Sequence, residues 1–239
     1  MLNPYSWDEQ QNPLKTTPAM KLSKILLLAS LCLVLHAGAA NAQSILNNLT
    51  GTYTTTGTNL GVGTDGADRT KGVGLTIGGG VDYIFQNMQA IISNAGTASA
   101  LLTGGIFADS GGNPGALLAA FNSINVAAGT SMANLSLTTS TPFTLTAGVT
   151  YWFVLDGPAT TNSLLWNGTS PNTSPTAAAG VTFAGYRFSS NGGSTWTNST
   201  TFNAMQINAA PVPEPSTWAM IGAGATLLVA FSRARKRRS

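Results

Sequence analysis

The stretch VTYWFVLD, residues 149–156, is the part of this sequence that decides the fold. Its β-branched and aromatic residues favour a strand, and successive side chains of a strand point to opposite faces. The odd-numbered residues, all apolar or aromatic, would lie on one face, and Trp152 and Val154 on the other. A strand that is apolar on both faces must be covered on both sides, by other layers or by a loop. The sequence therefore predicts a buried strand within a layered β-protein.

Short runs with apolar or alternating patterns recur on both sides of this strand. They lie at 72–78, 81–87, 88–94, 100–109, 115–121, 133–139, 142–146, 162–167, 180–190 and 200–207. Clusters of Gly, Asn, Ser and Pro separate them and are typical of turns; the run at 115–121 also fits one or two helical turns. About ten short strands with turns between them favour an antiparallel sandwich or barrel over a parallel α/β sheet. We predict an all-β fold, an antiparallel β-sandwich of jelly-roll-like type.

The segment 20–42 has the pattern of a secretory signal peptide. A start with two lysines is followed by the apolar run 25–35, and Ala40 and Ala42 form a small-residue cleavage site before Gln43. We therefore predict an N-terminal signal helix, export through the Sec translocon and cleavage by signal peptidase.

Cleavage of this segment removes the only cysteine and the only histidine side chain from the exported chain. The only cysteine, Cys32, and the only histidine, His36, both lie in it. The exported chain then has no disulfide, no His or Cys metal ligand and no Ser-His-Asp or Cys-His site. Residues 43–210 carry five aspartates against Arg69, Lys71 and Arg187, a net charge of −2. We expect no nucleic-acid partner, because no basic patch remains in this body.

The C-terminal end, PVPEPSTWAMIGAGATLLVAFSRARKRRS, has three successive parts. Its prolines favour an extended linker at 211–217. The uncharged run that follows predicts a short transmembrane helix at 218–232. Its fourteen residues from Trp218 to Phe231 would span about 21 Å as a helix, against a bilayer core of ~30 Å. A basic cluster then stops transfer and stays cytoplasmic; it consists of Arg233, Arg235, Lys236, Arg237 and Arg238.

This tail closely resembles the PEP-CTERM sorting signal of Gram-negative bacteria. The matching residues are Val212, Pro213, Glu214 and Pro215, then the apolar run and the arginine-rich end. The resemblance implies recognition by an exosortase, a membrane-embedded transpeptidase that cuts near the Pro-Glu-Pro. It also implies contact with the membrane before processing and an association with exopolysaccharide. The alternative is a plain C-terminal membrane anchor.

A second resemblance concerns the body, over about residues 75–208. The stretches from Asp109 to Leu117 and from Leu145 to Trp152 are similar to two motifs of choice-of-anchor R surface domains, D-S-G-G-x-P-G-x-L and L-x-x-G-x-T-Y-W. The resemblance implies a β-sandwich and no particular chemistry.

Candidate binding residues are few. Trp166 and Trp196 sit among small polar residues and are candidates for stacking on sugar rings; the alternative is that each covers an end of the sandwich. Asp65 and Asp68 share a polar loop, but the nearby Arg69 and Lys71 offset their charge. We expect Asp109 to cap its turn rather than bind a metal. We predict no metal and no cofactor.

The sequence thus predicts a noncatalytic surface or extracellular-matrix protein carried to the envelope by its tail. The alternatives are a carbohydrate-binding module for exopolysaccharide and a hydrolase that works with aspartates alone. The expected division of the chain is 1–19, a mis-assigned start before Met20 or an extended n-region; 20–42, signal peptide; 43–210, β-sandwich; 211–217, linker; 218–232, transmembrane helix; 233–239, basic tail.

Overall fold

The computed structural model describes residues 41–49, 51–213 and 222–228, together with Phe231, Arg233 and Arg235. One compact unit spans Ala40–Glu214 and is called the β-domain below. The described residues 222–228 are helical and belong to the second unit. The predicted signal peptide lies outside the described residues, apart from its last two positions.

The β-domain is built from strands alone in its described part. In chain order they are β1 (Gln43–Asn47), β2 (Thr52–Asn59), β3 (Gly61–Val62), β4 (Asp68–Ile77), β5 (Tyr83–Asn94), β6 (Ala100–Asp109), β7 (Pro114–Ala120), β8 (Ile124–Val126), β9 (Thr130–Leu137), β10 (Phe143–Leu145), β11 (Thr150–Asp156), β12 (Leu164–Ser170), β13 (Thr176–Ala177), β14 (Val181–Ser189), β15 (Thr197–Ser199) and β16 (Met205–Pro211).

These strands form two antiparallel sheets. The first has the order β13-β1-β16-β5-β12-β2, with β9 and β10 also paired to β5, and the second has the order β15-β14-β4-β11-β6-β7, with β3 on β4 and β8 on β6. Rings from the two sheets meet in the core: Phe85 and Phe153 have centroids 5.5 Å apart, and Trp166 and Tyr186 have centroids 6.0 Å apart. The prediction of an all-β protein with antiparallel sheets is confirmed.

Strand β5 is one strand where the sequence predicted two. Its buried side chains fall on odd positions up to Phe85 and on even positions from Met88, with Ile91 buried as well. Because strand side chains alternate, such a change of parity indicates a break. The structure accommodates it with a bulge: Asn208 of β16 pairs with Asn87 and Ala209 with Phe85, so that one residue of β5 is left over. As one continuous strand with this bulge, β5 pairs with β9, β10, β12 and β16 along its length.

Strand β11 lies inside the second sheet, between β4 and β6. On its inner face, Tyr151, Phe153 and Leu155 belong to the core between the sheets. On its outer face, Trp152 and Val154 are also buried. The expectation of a strand covered on both sides is confirmed.

The turn after β6 provides the outer cover. Asp109 accepts a hydrogen bond from Trp152 Nε1 at 2.7 Å and another from the backbone N–H of Gly112 at 3.1 Å. The Arg187 guanidinium lies 5.0 Å from the centroid of the Trp152 ring, within range of a cation–π interaction. The same carboxylate therefore caps its turn, as predicted, and fixes the indole.

The sequence analysis missed β1 and β2 at the start of the domain, as well as the shorter strands β3, β8, β13 and β15. β1 and β2 have the sequences QSILN and TYTTTGTN. The first is too short to show a period, and the second is a threonine-rich edge strand with little apolar surface. Edge strands expose one side to water and need less apolar patterning than central ones.

Room for the Trp152 ring comes from glycine on β4. A Cβ added at Gly74 would lie 2.8 Å from Cη2 and Cζ3 of Trp152, whereas one added at Gly79 would meet nothing within 4 Å. We expect Gly74→Ala to destabilise the protein by about 1–3 kcal/mol, since the buried ring has no space to move into. Thermal unfolding of the purified protein measures this. Gly79→Ala is the matched control. An unchanged unfolding midpoint in both variants would contradict the close packing of Trp152 against Gly74.

Candidate functional site

The two ends of the β-domain lie side by side. Gln43, the first residue of β1, pairs with Ala209 near the end of β16. Because the two strands are antiparallel neighbours, the chain enters and leaves the domain at the same end of the first sheet. Ala42, the residue before the predicted signal cleavage, is exposed there, while Ala40 lies outside the described residues.

The sorting motif starts directly where the last strand ends. The backbone N–H of Val212 donates to the carbonyl oxygen of Asp82 at 2.8 Å. The carboxylate of Asp82 in turn accepts from the backbone N–H of Ala147 at 2.8 Å. Val212 and Pro213 are therefore the first two residues beyond β16, whereas Glu214 and Pro215 lie outside the described residues.

The described part of the tail is a short helical segment at 222–228. Thr226 Oγ1 donates to the carbonyl oxygen of Gly222 at 2.6 Å. Arg233 and Arg235 of the basic cluster are exposed; the other three members lie outside the described residues. Within the described ranges, no helix has the length and apolar character required to span a bilayer. The transmembrane helix at 218–232 stays a prediction.

Trp166 is not available for sugar stacking, and the prediction is wrong at this position. The side chain is fully buried, and its Nε1 donates to the carbonyl oxygen of Ala204 at 2.9 Å. The Tyr186 ring packs edge-on against it. A stacking platform needs an open ring face, and Trp166 has none. Its position two residues after the buried Leu164 was the sequence signal that pointed inward.

Trp196 lies apart from Trp166, in the connection between β14 and β15. It is half-buried, and a Cβ added at Gly193 would lie 3.4 Å from its Cζ2. Trp166 faces the core, so the two indoles do not form a common surface. Stacking on Trp196 alone stays a prediction.

The aspartates considered as metal ligands have other partners. Asp65 forms an ion pair with Arg69, and this hydrogen-bonded guanidinium lowers the pKa of Asp65 to about 2. Burial raises the pKa of Asp156, whose carboxylate accepts from the backbone N–H of Gly157 at 2.8 Å. Across the described ranges, His, Cys, Asp and Glu form no group of three that could hold a metal ion.

A polar groove around Lys71 was missed by the sequence reasoning. It has a volume of about 350 Å³ and lies between β2 of the first sheet and β4, β14 and β15 of the second. Lys71 is only 1% exposed. Its side chain lies on the same inward-facing side of β4 as those of Val73 and Leu75. Burial lowers the pKa of Lys71 to about 7. The sequence contained an indication of this groove. Lys71 alternates in register with Val73 and Leu75, so a strand at these residues places a cation on its apolar face.

Comparison with known proteins identifies the tail and leaves the β-domain unmatched. The model of the PEP-CTERM protein-sorting motif matches residues 211–238. This confirms the prediction made from the Pro-Glu-Pro, the apolar run and the basic end. No curated protein and no solved structure matches the chain.

The two tryptophans should respond differently to truncation. We expect Trp166→Ala to destabilise the protein by about 3–5 kcal/mol, because it opens a cavity in the core and leaves the Ala204 carbonyl without its donor. Trp196→Ala should stay within about 1 kcal/mol of the wild type. Denaturant unfolding measures both. Equal losses in the two variants would contradict the placement of Trp166.

Lys71 should make the stability depend on pH. Its pKa lies near 7 in the folded protein and near 10.4 in the unfolded chain. Between these values the unfolded chain binds more protons, so stability should rise with pH between 7 and 9, by up to about 1.4 kcal/mol per unit. Lys71→Met should remove the rise, while Arg187→Met should keep it, as arginine stays protonated. Chemical unfolding at several pH values tests this, and a flat wild-type profile would show that the ammonium is not buried.

Proposed function

We propose that this chain is an exported, noncatalytic protein of the bacterial envelope or extracellular matrix, delivered there by its C-terminal signal. The observation that carries the proposal is the PEP-CTERM motif at 211–238. The motif implies an exosortase as processing partner and sorting to the envelope or surface. Its first residue, Pro211, is the last residue of β16, and Val212 follows it directly.

The adjacency of the two chain ends supports processing at both. Signal peptidase would cut before Gln43 and exosortase near Pro215, so both cuts fall close to one end of the first sheet. Neither removes any part of the described strands. The β-domain would thus be released with its hydrogen-bonded sheets whole, and the final product would depend on where the tail is cut or transferred.

The absence of catalysis is part of the proposal. The exported body has no cysteine or histidine, which leaves aspartates as the strongest candidates for acid–base work. Asp65 is held by Arg69, and Asp109 by Trp152 and its own turn. Hydrolysis of polysaccharides that disappears in a single Asp→Asn variant would contradict this part.

The relation to choice-of-anchor R domains is likewise proposed. In the structure, the residues from Asp109 to Leu117 comprise the end of β6, the turn after it and the start of β7, and Asp109 binds the indole of Trp152, the last residue of the second motif. The two motifs are thus parts of one packing unit. A domain that carries both would be expected to share this outer cover, whatever signal anchors it.

The proposal is tested by the intact mass of the native protein, recovered separately from the membrane, the outer envelope and the medium. We expect an N-terminus at Gln43 and a C-terminus near Pro215. A C-terminus still at Ser239 in every fraction would mean that the tail is a permanent anchor and would overturn the sorting proposal.

A double variant sharpens this test. Pro213→Ala with Pro215→Ala should keep the full tail and raise the share of membrane-bound protein, because the processing motif is lost. Pro142→Ala changes an exposed proline in a loop and is the matched control, with wild-type processing expected. Loss of the tail in the double variant would show that cleavage does not depend on the Pro-Glu-Pro.

A further inference from the structure

The groove of about 350 Å³ holds a buried cation without a carboxylate partner. Lys71 Nζ donates to Ser199 Oγ and to the carbonyl oxygen of Thr201, the latter at 3.2 Å, and it lies 5.2 Å from the centroid of the Tyr186 ring. In the part of the chain that the structure describes, Arg69–Asp65 is the only ion pair. Partial shielding of an ammonium from water is costly unless a negative charge balances it.

The remaining lining is suited to a polyhydroxylated molecule. The hydroxyl-bearing residues Ser199, Thr200 and Thr201 line the groove, and Phe188 contributes an aromatic residue. Such groups exchange hydrogen bonds with sugar hydroxyls, and a ring packs on the apolar face of a pyranose. The volume falls at the lower end of the range for small-molecule pockets.

The charge of the groove limits the ligand further. Arg69 also lines it, but both of its terminal nitrogens donate to Asp65. This leaves the single charge of Lys71 to be balanced. A monoanion such as a carboxylate matches it, whereas a phosphate dianion would bring one charge in excess into a partly desolvated site.

We infer that the groove beside Lys71 binds a carboxylated sugar, a hexuronate unit, with its carboxylate on the Lys71 ammonium. The ring would lie beside Phe188 and the hydroxyl-bearing residues Thr200 and Thr201. This site is separate from Trp196 and from the sorting tail. Sugar binding at this site can therefore be tested independently of how the tail is processed.

Binding should take up a proton. Without ligand Lys71 is about half protonated at pH 7; a bound carboxylate favours the charged form and raises the pKa. The other ionisable residues on the Lys71 side of β4 are Tyr186 and Arg69. Tyr186 remains neutral, because burial raises its pKa further, and Arg69 stays paired with Asp65. Asp68 and Asp156 lie with Thr70 on the opposite face of the sheet.

The experiment is isothermal titration calorimetry of the full chain in detergent with trigalacturonate as the probe. The control ligand is the same trisaccharide with its carboxyl groups reduced to alcohols. We expect binding of the acidic form only, with an affinity that falls by about tenfold per unit above pH 7. At pH 8, two buffers of different ionisation enthalpy should show uptake of close to one proton for each ligand bound.

Variants assign the binding to the groove. Lys71→Met should weaken binding by at least about tenfold, because it removes a charge-assisted contact, and should abolish proton uptake. Arg187→Met removes a cation on the outer face and should bind as the wild type does. Equal affinity for the reduced trisaccharide, unchanged binding in Lys71→Met, absence of proton uptake or no binding at all would each overturn the inference. Proton uptake is measured on the wild type, so it decides the question even if a variant folds poorly.

Discussion

The β-domain depends on the burial of β11 on both of its faces. Its inner side chains face the first sheet, and its outer indole needs a cover, which no third layer in the described part of the β-domain provides. Asp109 provides it by binding the indole N–H and its own turn together, and Gly74 on the neighbouring strand leaves space for the ring. Strand β11 is buried on both faces, and its two edges pair with β4 and β6. These pairings fix the order of the strands in the middle of the second sheet.

Most of the longer strands of the second sheet could be predicted from the sequence, because they carry apolar residues in a clear pattern; its strands β3, β8 and β15, of two or three residues each, were missed. β6 was located to the residue, at Ala100–Asp109. The first sheet was harder for two physical reasons. The bulge in β5 changes the parity of its buried residues and looks like a chain break, and β2 is an edge strand whose threonines carry no apolar period. The bulge in β5 and the edge position of β2 both depend on which strands pair with them, and the sequence of a single strand does not specify its partners.

The functional residues divide in the same way. The sorting tail was identified from the sequence alone, because a linear signal is read in an extended chain and needs no tertiary context. Trp166 was misplaced, because polar neighbours suggested a surface position while its strand directs it into the core. Lys71 was overlooked for the opposite reason: a lysine is expected in water, and only the assembled sheets show that β4 carries it inward.

The burial of Lys71 is hard to explain by stability. A hydrophobic side chain of similar length would fill the same space without the cost of desolvating an ammonium. Ser199 and the Thr201 carbonyl satisfy hydrogen bonds but bring no negative charge. The site therefore has a strong preference for an anion, which its own described residues do not meet. A ligand that supplies one carboxylate and several hydroxyls would satisfy the cation and the polar walls together, and this agreement of charge and lining is the reason to look for the ligand in this groove.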